Sequence, residues 1–477
     1  MTASEILAVT WPVLLTVLSV SVAVAASMHV LLFAEHSRAA VGWVGLIWLA
    51  PLVGATLYAL FGVNRIQRKA LRLRGPHTSL QIAADRPPGC GPSEVTIPAL
   101  AEAVGQITRL PLTAGNRVRM LRDGDEAYPE MLAAIAEARR SVSLCTYIFD
   151  VGRWGRRFVD ALAEAQERGV DVRVLVDGVG AFYSLPGPVR TLRRRGLDAR
   201  RFLFSLAPWR MTYLNLRNHR KILVVDGRIG FTGGMNLRDH HVLADQPAQP
   251  TADLHFRVEG PVVRQLQEVF ALDWVFSRGS PLEGEAWFPE LRAVGPVHAR
   301  AIPDGPDEDL EAAQWTVIAA LSCAERSVRV VTPYFLPEDE LVGVLNATAL
   351  RGVEVDIVLP LRNNLEYLTW ATAAEIGRLL EWGVRVWVTP GPFDHSKLVV
   401  VDGRWVLFGS ANIDPRSLRL NFELLVEAYD EDLGRRCDEL VRSRIASARR
   451  VTPAQIEGRP LPVKLRDGIA RLFKPYL

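Results

Sequence analysis

The chain has 477 residues, of which 49% are hydrophobic and 23% are charged. The 56 Lys and Arg residues nearly balance the 53 Asp and Glu residues, so the net charge of +3 excludes a generally polybasic protein that coats nucleic acid. Four cysteines lie far apart without a CxxC pair, which argues against a zinc ribbon and a disulfide scaffold. The mean hydropathy of +0.11 is high for a soluble chain of this length and indicates that part of the protein lies in a membrane.

Two uncharged stretches begin the chain. No Asp, Glu, Lys or Arg occurs between Glu5 and Glu35, or between Arg38 and Arg65. About 20 apolar residues cross a bilayer, so these stretches predict a transmembrane helical hairpin over about residues 7–33 and 39–63. A cleaved signal peptide is the alternative for the first stretch, but it requires a basic residue before the apolar core, and residues 1–6 contain none.

Basic residues are distributed unevenly around the predicted hairpin. The loop between its helices contains only Arg38, whereas five basic residues follow the second helix: Arg65, Arg68, Lys69, Arg72 and Arg74. Because cytoplasmic flanks carry the excess of Lys and Arg, this pattern predicts that both ends of the hairpin, and the rest of the chain, are cytoplasmic. Residues 1–74 are therefore interpreted as the hairpin with its basic juxtamembrane segment.

The remainder of the chain reads as a linker followed by a duplicated α/β region. Residues 75–95 are rich in Pro and Gly and predict the linker. Alternating helix-like and strand-like segments then predict a sheet covered by helices. Three blocks recur in the same order, namely residues 140–149 with 326–335, 168–172 with 351–355, and 219–226 with 395–402. The repeat predicts two similar α/β/α halves, residues 96–290 and 291–450, forming a pseudo-dimer with a site where they meet.

The closing segment, residues 451–477, combines apolar and basic positions at helical spacing. Its apolar stripe consists of Leu465, Ile469, Leu472 and Phe473, beside Lys464, Arg466 and Arg471. This pattern predicts a helix that lies in the membrane interface. Ordinary packing of the same stripe against the α/β region is the alternative.

One motif, H-x-K-x4-D-x6-G-[GS]-x-N, occurs once in each half. The first copy consists of His219, Lys221, Asp226, Gly233, Gly234 and Asn236, and the second of His395, Lys397, Asp402, Gly409, Ser410 and Asn412. Chance predicts only about 0.1 H-x-K sequences in a chain of this composition. A single copy would be interpreted as a solvated strand edge, whereas two matching copies predict a functional site.

These residue types suit phosphoryl transfer. Strand alternation places His219 and Lys221 on one face, so two facing motifs would present two imidazoles and two ammonium groups to one phosphate. One imidazole can attack phosphorus while the other protonates the leaving alcohol. The ammonium groups and the Asn amides can stabilise charge on the non-bridging oxygens, and the Gly pair lets the backbone approach the ligand. A metal site is not expected, because ammonium is a poor ligand and no His and Cys cluster accompanies the motifs.

The paired motifs resemble those of the phospholipase D superfamily, and more specifically those of its bacterial cardiolipin synthases. The similarity extends to residues 51–65, 332–337, 409–423 and 471–477, so that it spans nearly the whole chain. It implies two phospholipase D-like halves that transfer a phosphatidyl group between two phosphatidylglycerol molecules through a phosphatidyl-histidine, releasing glycerol. It also implies anionic phospholipid substrates, no cofactor, no metal, no nucleic-acid partner, and a multi-pass protein of the bacterial inner membrane.

The resemblance further implies that a downstream carboxylate orients each histidine. Asp253 and Glu423 are the matching candidates, with a surface ion pair as the alternative for each. Asp226 and Asp402 are expected to orient the motif rather than to touch phosphate. Alternatives to the synthase are a phospholipase D-type hydrolase, a transferase with another phospholipid donor, a membrane-tethered nuclease, and a lipid-binding scaffold without catalysis.

Overall fold

The computed structural model describes residues 3–33, 37–59, 90–203, 216–306 and 311–474. The chain divides into two compact units, Met1–Lys69 and Ala70–Leu477. The basic residues after position 60 and most of the predicted linker lie outside the described residues.

The described part of the first unit contains the helices α1 (Ala3–Phe33), α2 (Ser37–Leu49) and α3 (Pro51–Leu57). Within the described residues, α1 is the one helix that is long and apolar enough to cross a membrane, over Thr10–Phe33. Ala23, Val30, Ile47 and Tyr58 form a small buried cluster between the helices. Most other large apolar side chains of α1 remain exposed, as expected for a surface that contacts lipid.

The predicted second span, residues 39–63, is not one straight helix in the described part of the chain. Ala50 leaves the helical conformation, and Pro51 then begins α3. Proline cannot donate the backbone hydrogen bond that would continue α2, and its ring clashes with the preceding turn. The bend is tight, because a Cβ atom added to Gly54 would lie 2.5 Å from the carbonyl oxygen of Leu46. With 13 residues, α2 alone is about 20 Å long, less than a bilayer core.

The second unit contains the remaining helices and all the described strands. Its helices are α4 (Pro98–Thr108), α5 (Asp123–Glu137), α6 (Arg153–Glu167), α7 (Pro188–Arg194), α8 (Val263–Phe276), α9 (Ala312–Cys323), α10 (Asp339–Leu350), α11 (Glu366–Leu380), α12 (Pro415–Arg419), α13 (Glu431–Ser447), α14 (Pro453–Glu457) and α15 (Leu461–Leu472). Its first-half strands are β1 (Thr113–Arg122), β2 (Ser141–Thr146), β3 (Asp171–Asp177), β4 (Asp198–Phe202), β5 (Ile222–Val225), β6 (Ile229–Gly233), β7 (Thr251–Ala252) and β8 (Leu254–Glu259). Those of the second half are β9 (Val297–Asp304), β10 (Ser327–Val331), β11 (Glu354–Pro360), β12 (Arg385–Thr389), β13 (Phe393–Asp394), β14 (Leu398–Val401), β15 (Trp405–Gly409), β16 (Glu423–Tyr429) and β17 (Arg449–Arg450).

All described strands except β7 and β13 form one sheet of 15 strands. From the seam outward, the first half has the order β1-β8-β6-β5-β2-β3-β4, and the second half has β9-β16-β15-β14-β10-β11-β12 with β17 at the edge. The two orders correspond strand for strand, and β1 pairs antiparallel with β9 at the seam. The halves are therefore related by a pseudo-two-fold axis, which confirms the predicted pair of similar α/β halves.

Amphipathic helices cover the sheet and supply much of its core. In the first half, α6 buries Phe158 and Leu162, one helical turn apart, against strand residues such as Val174. The second half has its own cluster, which includes Val328 and Val355 of neighbouring parallel strands. Continuous apolar runs of this kind are expected in strands that are covered on both faces.

The N-terminal helix of this unit packs on the second half, not the first. Leu100 and Val104 of α4 lie in the second-half core. The buried Arg300 of β9 donates to the carbonyl oxygens of Ala101 and Leu110, at 2.7 and 3.2 Å. The predicted first half begins at residue 96. In the structure, α4 packs on the second half, and the chain then crosses the seam to begin the first-half sheet at β1.

The predicted C-terminal helix is present as α15, and it packs on α11 with one face. Asp467 and Ala470 are buried there, and Arg459 donates to Asp467 at 2.5 Å. The opposite face carries five apolar side chains that are each more than half exposed: Leu461, Leu465, Ile469, Leu472 and Phe473. Residues 475–477 lie outside the described residues.

We expect the substitution Arg300→Met to destabilise the catalytic unit. Arg300 forms a fully buried ion pair with Glu427 at 2.6 Å, and its loss leaves that carboxylate without a cation. Breaking one partner of such a pair costs about 3–5 kcal/mol. The thermal midpoint of the detergent-solubilised protein should therefore fall clearly. Arg404→Met, which removes an exposed partner of Glu431, is the matched control and should change the midpoint little. Equal midpoints for the two variants would contradict this role of Arg300.

Candidate active site

Each H-x-K segment is held by backbone pairing with the opposite half. The N–H of His219 donates to Phe422 at 2.9 Å, and the N–H of His395 donates to Ala252 at 2.7 Å. The strands predicted to include the histidines begin later, at Ile222 and Leu398. The histidine segments leave the main sheet because they form parallel bridges across the seam, Asn218 with Phe422 and β13 with β7.

These bridges place each histidine beside a carboxylate of the other half. The Nδ1 atom of His219 lies 2.9 Å from Glu423, and that of His395 lies 2.8 Å from Asp253. Both carboxylates are fully withdrawn from solvent, while each imidazole is 12% exposed. Because Nδ1 is engaged by the carboxylate, the Nε2 atom of each ring is the one placed for chemistry on a ligand.

The two carboxylates are supported differently. Glu423 accepts hydrogen bonds from the Ser410 hydroxyl at 2.5 Å and from the Asn421 amide at 3.0 Å. Ser410 has Gly234 as its counterpart in the first motif, where a Cβ atom would lie 2.2 Å from Asp253. Ser410 therefore accompanies the longer acid, Glu423, and Gly234 accompanies the shorter acid, Asp253.

The motif lysines lie beside the histidines as their spacing predicts. The ammonium groups of Lys221 and Lys397 each donate to the carbonyl oxygen of the histidine two residues before, at 2.5 Å. The Lys397 nitrogen also lies 3.0 Å from the Nε2 atom of His395. Both ammonium groups are buried, so the site gathers positive charge out of bulk water.

The motif aspartates do not reach the histidines. Asp226 accepts from the backbone N–H groups of Arg139, Arg140 and Ser141, and Asp402 accepts from those of Glu325, Arg326 and Ser327. Each begins an Asp-Gly hairpin turn with positive φ, between β5 and β6 or between β14 and β15. This geometry agrees with the expectation that they orient the motif rather than touch phosphate.

The motif glycines Gly233 and Gly409 allow close packing against the neighbouring strand. Gly233 has φ 154°, and a Cβ atom there would lie 2.6 Å from the carbonyl oxygen of Leu254. Gly409 makes the equivalent approach to Leu424, at 2.2 Å. A glycine is required here by the approach of the strand that carries the acid, and a contact of the glycine backbone with substrate stays a prediction.

The motif asparagines both bind protein groups. Asn236 accepts from the N–H of Ile148 at 3.0 Å, and Asn412 donates to the Ser417 hydroxyl at 3.1 Å. The Oδ1 atom of Asn412 is buried without a hydrogen-bond partner in the described part of the chain. A phosphate contact through the remaining amide atoms stays a prediction.

Burial governs the charge of the site. It lowers the pKa of His219, and it lowers that of His395 further, with help from the nearby Lys397 and Lys221. Burial also lowers the pKa of Lys221 to about 7 and of Lys397 to about 8.

The two acids respond in opposite directions. Burial raises the pKa of Asp253 to about 6. Burial acts in the same sense on Glu423, but the positive charges and hydrogen bonds around it outweigh burial and lower its pKa. Glu423 is therefore the more firmly ionised partner, and a bound anion would favour protonation of the histidines and lysines.

Sequence reasoning missed three residues around the histidines. The Tyr147 ring meets His219 edge-on at 5.2 Å, and the Tyr334 ring meets His395 at 6.2 Å. Arg220 is fully buried between the motif residues and donates to Glu423 O at 2.8 Å and to Asp273 at 2.7 Å. Strand alternation across H-x-K was the available signal for Arg220, because it predicts that the middle residue faces away from the ligand.

One group of potential metal ligands lies outside the motifs. Among the described residues, ligand atoms of Cys90, Glu94 and His298 lie within 4.8 Å of one another. The site around His219 and His395 contains no comparable group in the part of the chain that the structure describes.

Comparison with a family model decides the relationship. The model described as cardiolipin synthase, PLD-like domain, matches residues 131–274 and 317–444, so each H-x-K motif falls within one matched range. Together the ranges cover more than half of the chain. The chain belongs to the cardiolipin synthase family of phospholipase D-like proteins.

Relatives and solved structures agree with this family. A cardiolipin synthase of Staphylococcus aureus (strain Mu50) is 29% identical over 464 residues, covering 94% of this chain and 93% of the relative. A cardiolipin synthase of Geobacillus kaustophilus is 30% identical over 454 residues, covering 92% and 88%. The phosphatidylserine synthase of Haemophilus influenzae Rd KW20 has a TM-score of 0.60 and 14% identity, over 79% of this chain and 100% of that structure. This last similarity shows a shared fold.

We expect kcat/KM to have a narrow optimum near pH 6–7. As pH rises through about 7–8, Lys221 and Lys397 lose their protons and attract the phosphate less. As pH falls through about 6, Asp253 gains a proton and no longer accepts from His395. Initial rates at low substrate over pH 5–9 measure both limbs. Lys221→Arg, whose guanidinium stays protonated, should move the alkaline limb upward from about 7 toward the pKa of about 8 of Lys397, and an unmoved limb would contradict the lysine assignment.

Proposed function

We propose that this protein is a phosphatidyltransferase that makes cardiolipin from two molecules of phosphatidylglycerol and releases glycerol. The observation that carries the proposal is the pair of imidazoles, each held at Nδ1 by a carboxylate of the opposite half, beside two buried ammonium groups. Such a site suits an anionic phosphodiester and two-step transfer through a covalent histidine. Membership of the cardiolipin synthase family supports the substrate class.

The chemistry balances without a cofactor. In the first step, Nε2 of one imidazole attacks phosphorus, the bond to the glycerol oxygen breaks, and the other imidazole gives that oxygen a proton. In the second step, the terminal hydroxyl of another phosphatidylglycerol gives its proton to that imidazole and attacks phosphorus, and the P–N bond breaks. One phosphodiester replaces another. Lys221 and Lys397 are placed to stabilise charge on the non-bridging oxygens, and Glu423 and Asp253 to orient the rings.

The proposed location is the bacterial inner membrane, with the second unit in the cytoplasm. At 31 residues, α1 is about 46 Å long and exceeds a bilayer core. The uncharged sequence that follows Arg38 and the five basic residues that follow residue 64 support a second crossing and a cytoplasmic catalytic unit. The second crossing would need residues beyond α2, because Pro51 ends that helix early.

We also propose that the exposed face of α15 lies in the membrane interface. The face is apolar over three turns, and its neighbours Lys464, Arg466 and Arg471 complement anionic head groups. The inner face of α15 packs on Leu336, close to Tyr334 at the histidine site. Docking of α15 would therefore bring lipid to the side of the site that Tyr334 borders.

The synthase proposal predicts a defined product ratio. Full-length protein incubated with phosphatidylglycerol vesicles and EDTA should form cardiolipin and glycerol in equal amounts. His219→Ala and His395→Ala should each lower the rate at least about 10²–10⁴-fold, since acid–base catalysis alone is worth that much. His298→Ala, outside both motifs, is the control. Phosphatidic acid as the sole lipid product would identify a hydrolase, and full activity in either motif variant would contradict the site.

The docking proposal predicts where lipid quenches a fluorophore. With Cys90 and Cys323 replaced by Ser, a dye on Leu465→Cys should be quenched by brominated lipid in reconstituted vesicles. A dye on Glu439→Cys, on the exposed face of α13, is the control and should be quenched much less. Equal quenching at the two positions would show that α15 does not reach the interface.

A further inference from the structure

Two arginines, one from each half, lie beside the histidine site. Arg217 precedes His219 by two residues, and its carbonyl oxygen accepts from Phe422 N–H at 2.8 Å. Arg416 lies in α12, and its carbonyl oxygen accepts from Asn421 N–H at 2.9 Å. The two arginines therefore flank the same bridge that places Glu423 next to His219.

Both guanidinium groups are half-buried, and neither forms an ion pair with a carboxylate in the described ranges. Asp177, the acid with the strongest influence on Arg217, instead accepts from the N–H groups of Val179, Gly180 and Asn218. Burial lowers the pKa of Arg217, and the charge of Arg416 lowers it further, so the two cations lie close enough to repel each other. The charges of Asp177 and Asp414 offset part of this positive charge, and an anion bound between the two guanidinium groups would offset more of it.

Tyr147 connects this pair with the reaction centre. Burial raises the pKa of Tyr147, whereas the charges of Arg217 and Arg416 both act to lower it. The Tyr147 ring lies 5.2 Å from the His219 ring and 5.7 Å from the Lys221 ammonium. The Tyr147 ring also lies 6.4 Å from Tyr183, in a loop whose large apolar side chains are exposed: Phe182, Tyr183 and Leu185. An anion between the arginines would thus have the reacting phosphate on one side and an apolar surface nearby.

The pseudo-symmetric position lacks this pair. The motif offset of 176 residues places Phe393 where Arg217 stands and His240 where Arg416 stands. Two guanidinium groups of that region already have carboxylate partners: Arg238 pairs with Asp150 at 3.8 Å, and Arg444, which contacts Ser396, pairs with Asp394 at 3.1 Å. The duplicated chemistry is therefore symmetric, whereas the counterpart positions on the His395 side, both among the described residues, carry no arginine pair.

We propose that Arg217 and Arg416 form a second anion site, which binds the phosphodiester of the acceptor phosphatidylglycerol. The inference rests on the proposed synthase function and assigns the acceptor lipid its place. In the second step, the acceptor's terminal hydroxyl loses its proton to an imidazole and its oxygen bonds to phosphorus as the P–N bond breaks. The acceptor's own phosphate lies one glycerol unit away from that oxygen, and this second charge must be held outside the histidine–lysine centre. Water or free glycerol as acceptor carries no such charge.

The test compares two reactions of the full-length protein in phosphatidylglycerol vesicles. Exchange of labelled glycerol into phosphatidylglycerol needs the donor and an uncharged acceptor only, whereas cardiolipin formation needs the lipid acceptor. We expect Arg217→Gln and Arg416→Gln to lower cardiolipin formation about 10- to 100-fold while glycerol exchange stays near wild type, because charged hydrogen bonds contribute that much. Arg217→Lys should recover part of the loss, and Arg292→Gln, at an exposed position, controls for lost charge.

Each other result counts against the proposal. Equal loss of exchange and cardiolipin formation, with an unchanged thermal midpoint, would assign the arginines to the donor phosphate. A lowered midpoint with loss of both reactions would give them a purely structural role, and unchanged cardiolipin formation would exclude them from acceptor binding. If wild-type protein exchanges glycerol but makes no cardiolipin, the proposed function itself fails, which the variants alone would not reveal.

Discussion

The site depends on the hydrogen bonds between each imidazole and a carboxylate of the opposite half. Neither half can complete its own histidine, because Glu423 serves His219 and Asp253 serves His395. The continuous sheet across β1 and β9 and the two parallel bridges keep these partners in register. Duplication thus produces one reaction centre on the pseudo-two-fold axis instead of two separate ones.

Burial of so many ionisable groups creates the preference for an anion. Lys221, Lys397 and both imidazoles lie where their charged forms are poorly solvated, and only Glu423 stays firmly ionised beside them. An entering phosphodiester supplies the missing negative charge and favours protonation of these groups. Burial of these groups is unfavourable, and a bound phosphodiester relieves part of this cost. The relief contributes to substrate affinity and to stabilisation of the charge that develops during transfer.

The departures from symmetry indicate how two chemically similar lipids can be treated differently. Around His219 lie Tyr147 and two arginines, whereas His395 is flanked by the rings of Tyr334 and Phe393. A symmetric centre suffices to break one phosphodiester and form another. Distinguishing donor from acceptor requires unequal surroundings, and those arise outside the motif, where the two halves have diverged.

The sequence by itself determined the duplicated α/β architecture, the apolar N-terminus, the amphipathic C-terminal helix and the histidines and lysines. These features depend on local periodicity and on a repeated spacing, which a one-dimensional pattern records. It also offered Asp253 and Glu423 as candidates, but not their partners, since the pairing depends on strands more than 140 residues apart.

Only the tertiary structure decided which motif residues lie beside the histidines. Asp226 and Asp402 share the motif with the histidines, yet a strand length separates them, and their carboxylates bind backbone N–H groups at hairpin turns. The packing of α4 on the opposite half and the sharp bend at Pro51 were likewise not readable from composition. Motif spacing gives only the separation of residues along the chain. The site is formed by contacts between the two halves, which join residues far apart in the sequence, so the spacing does not predict them.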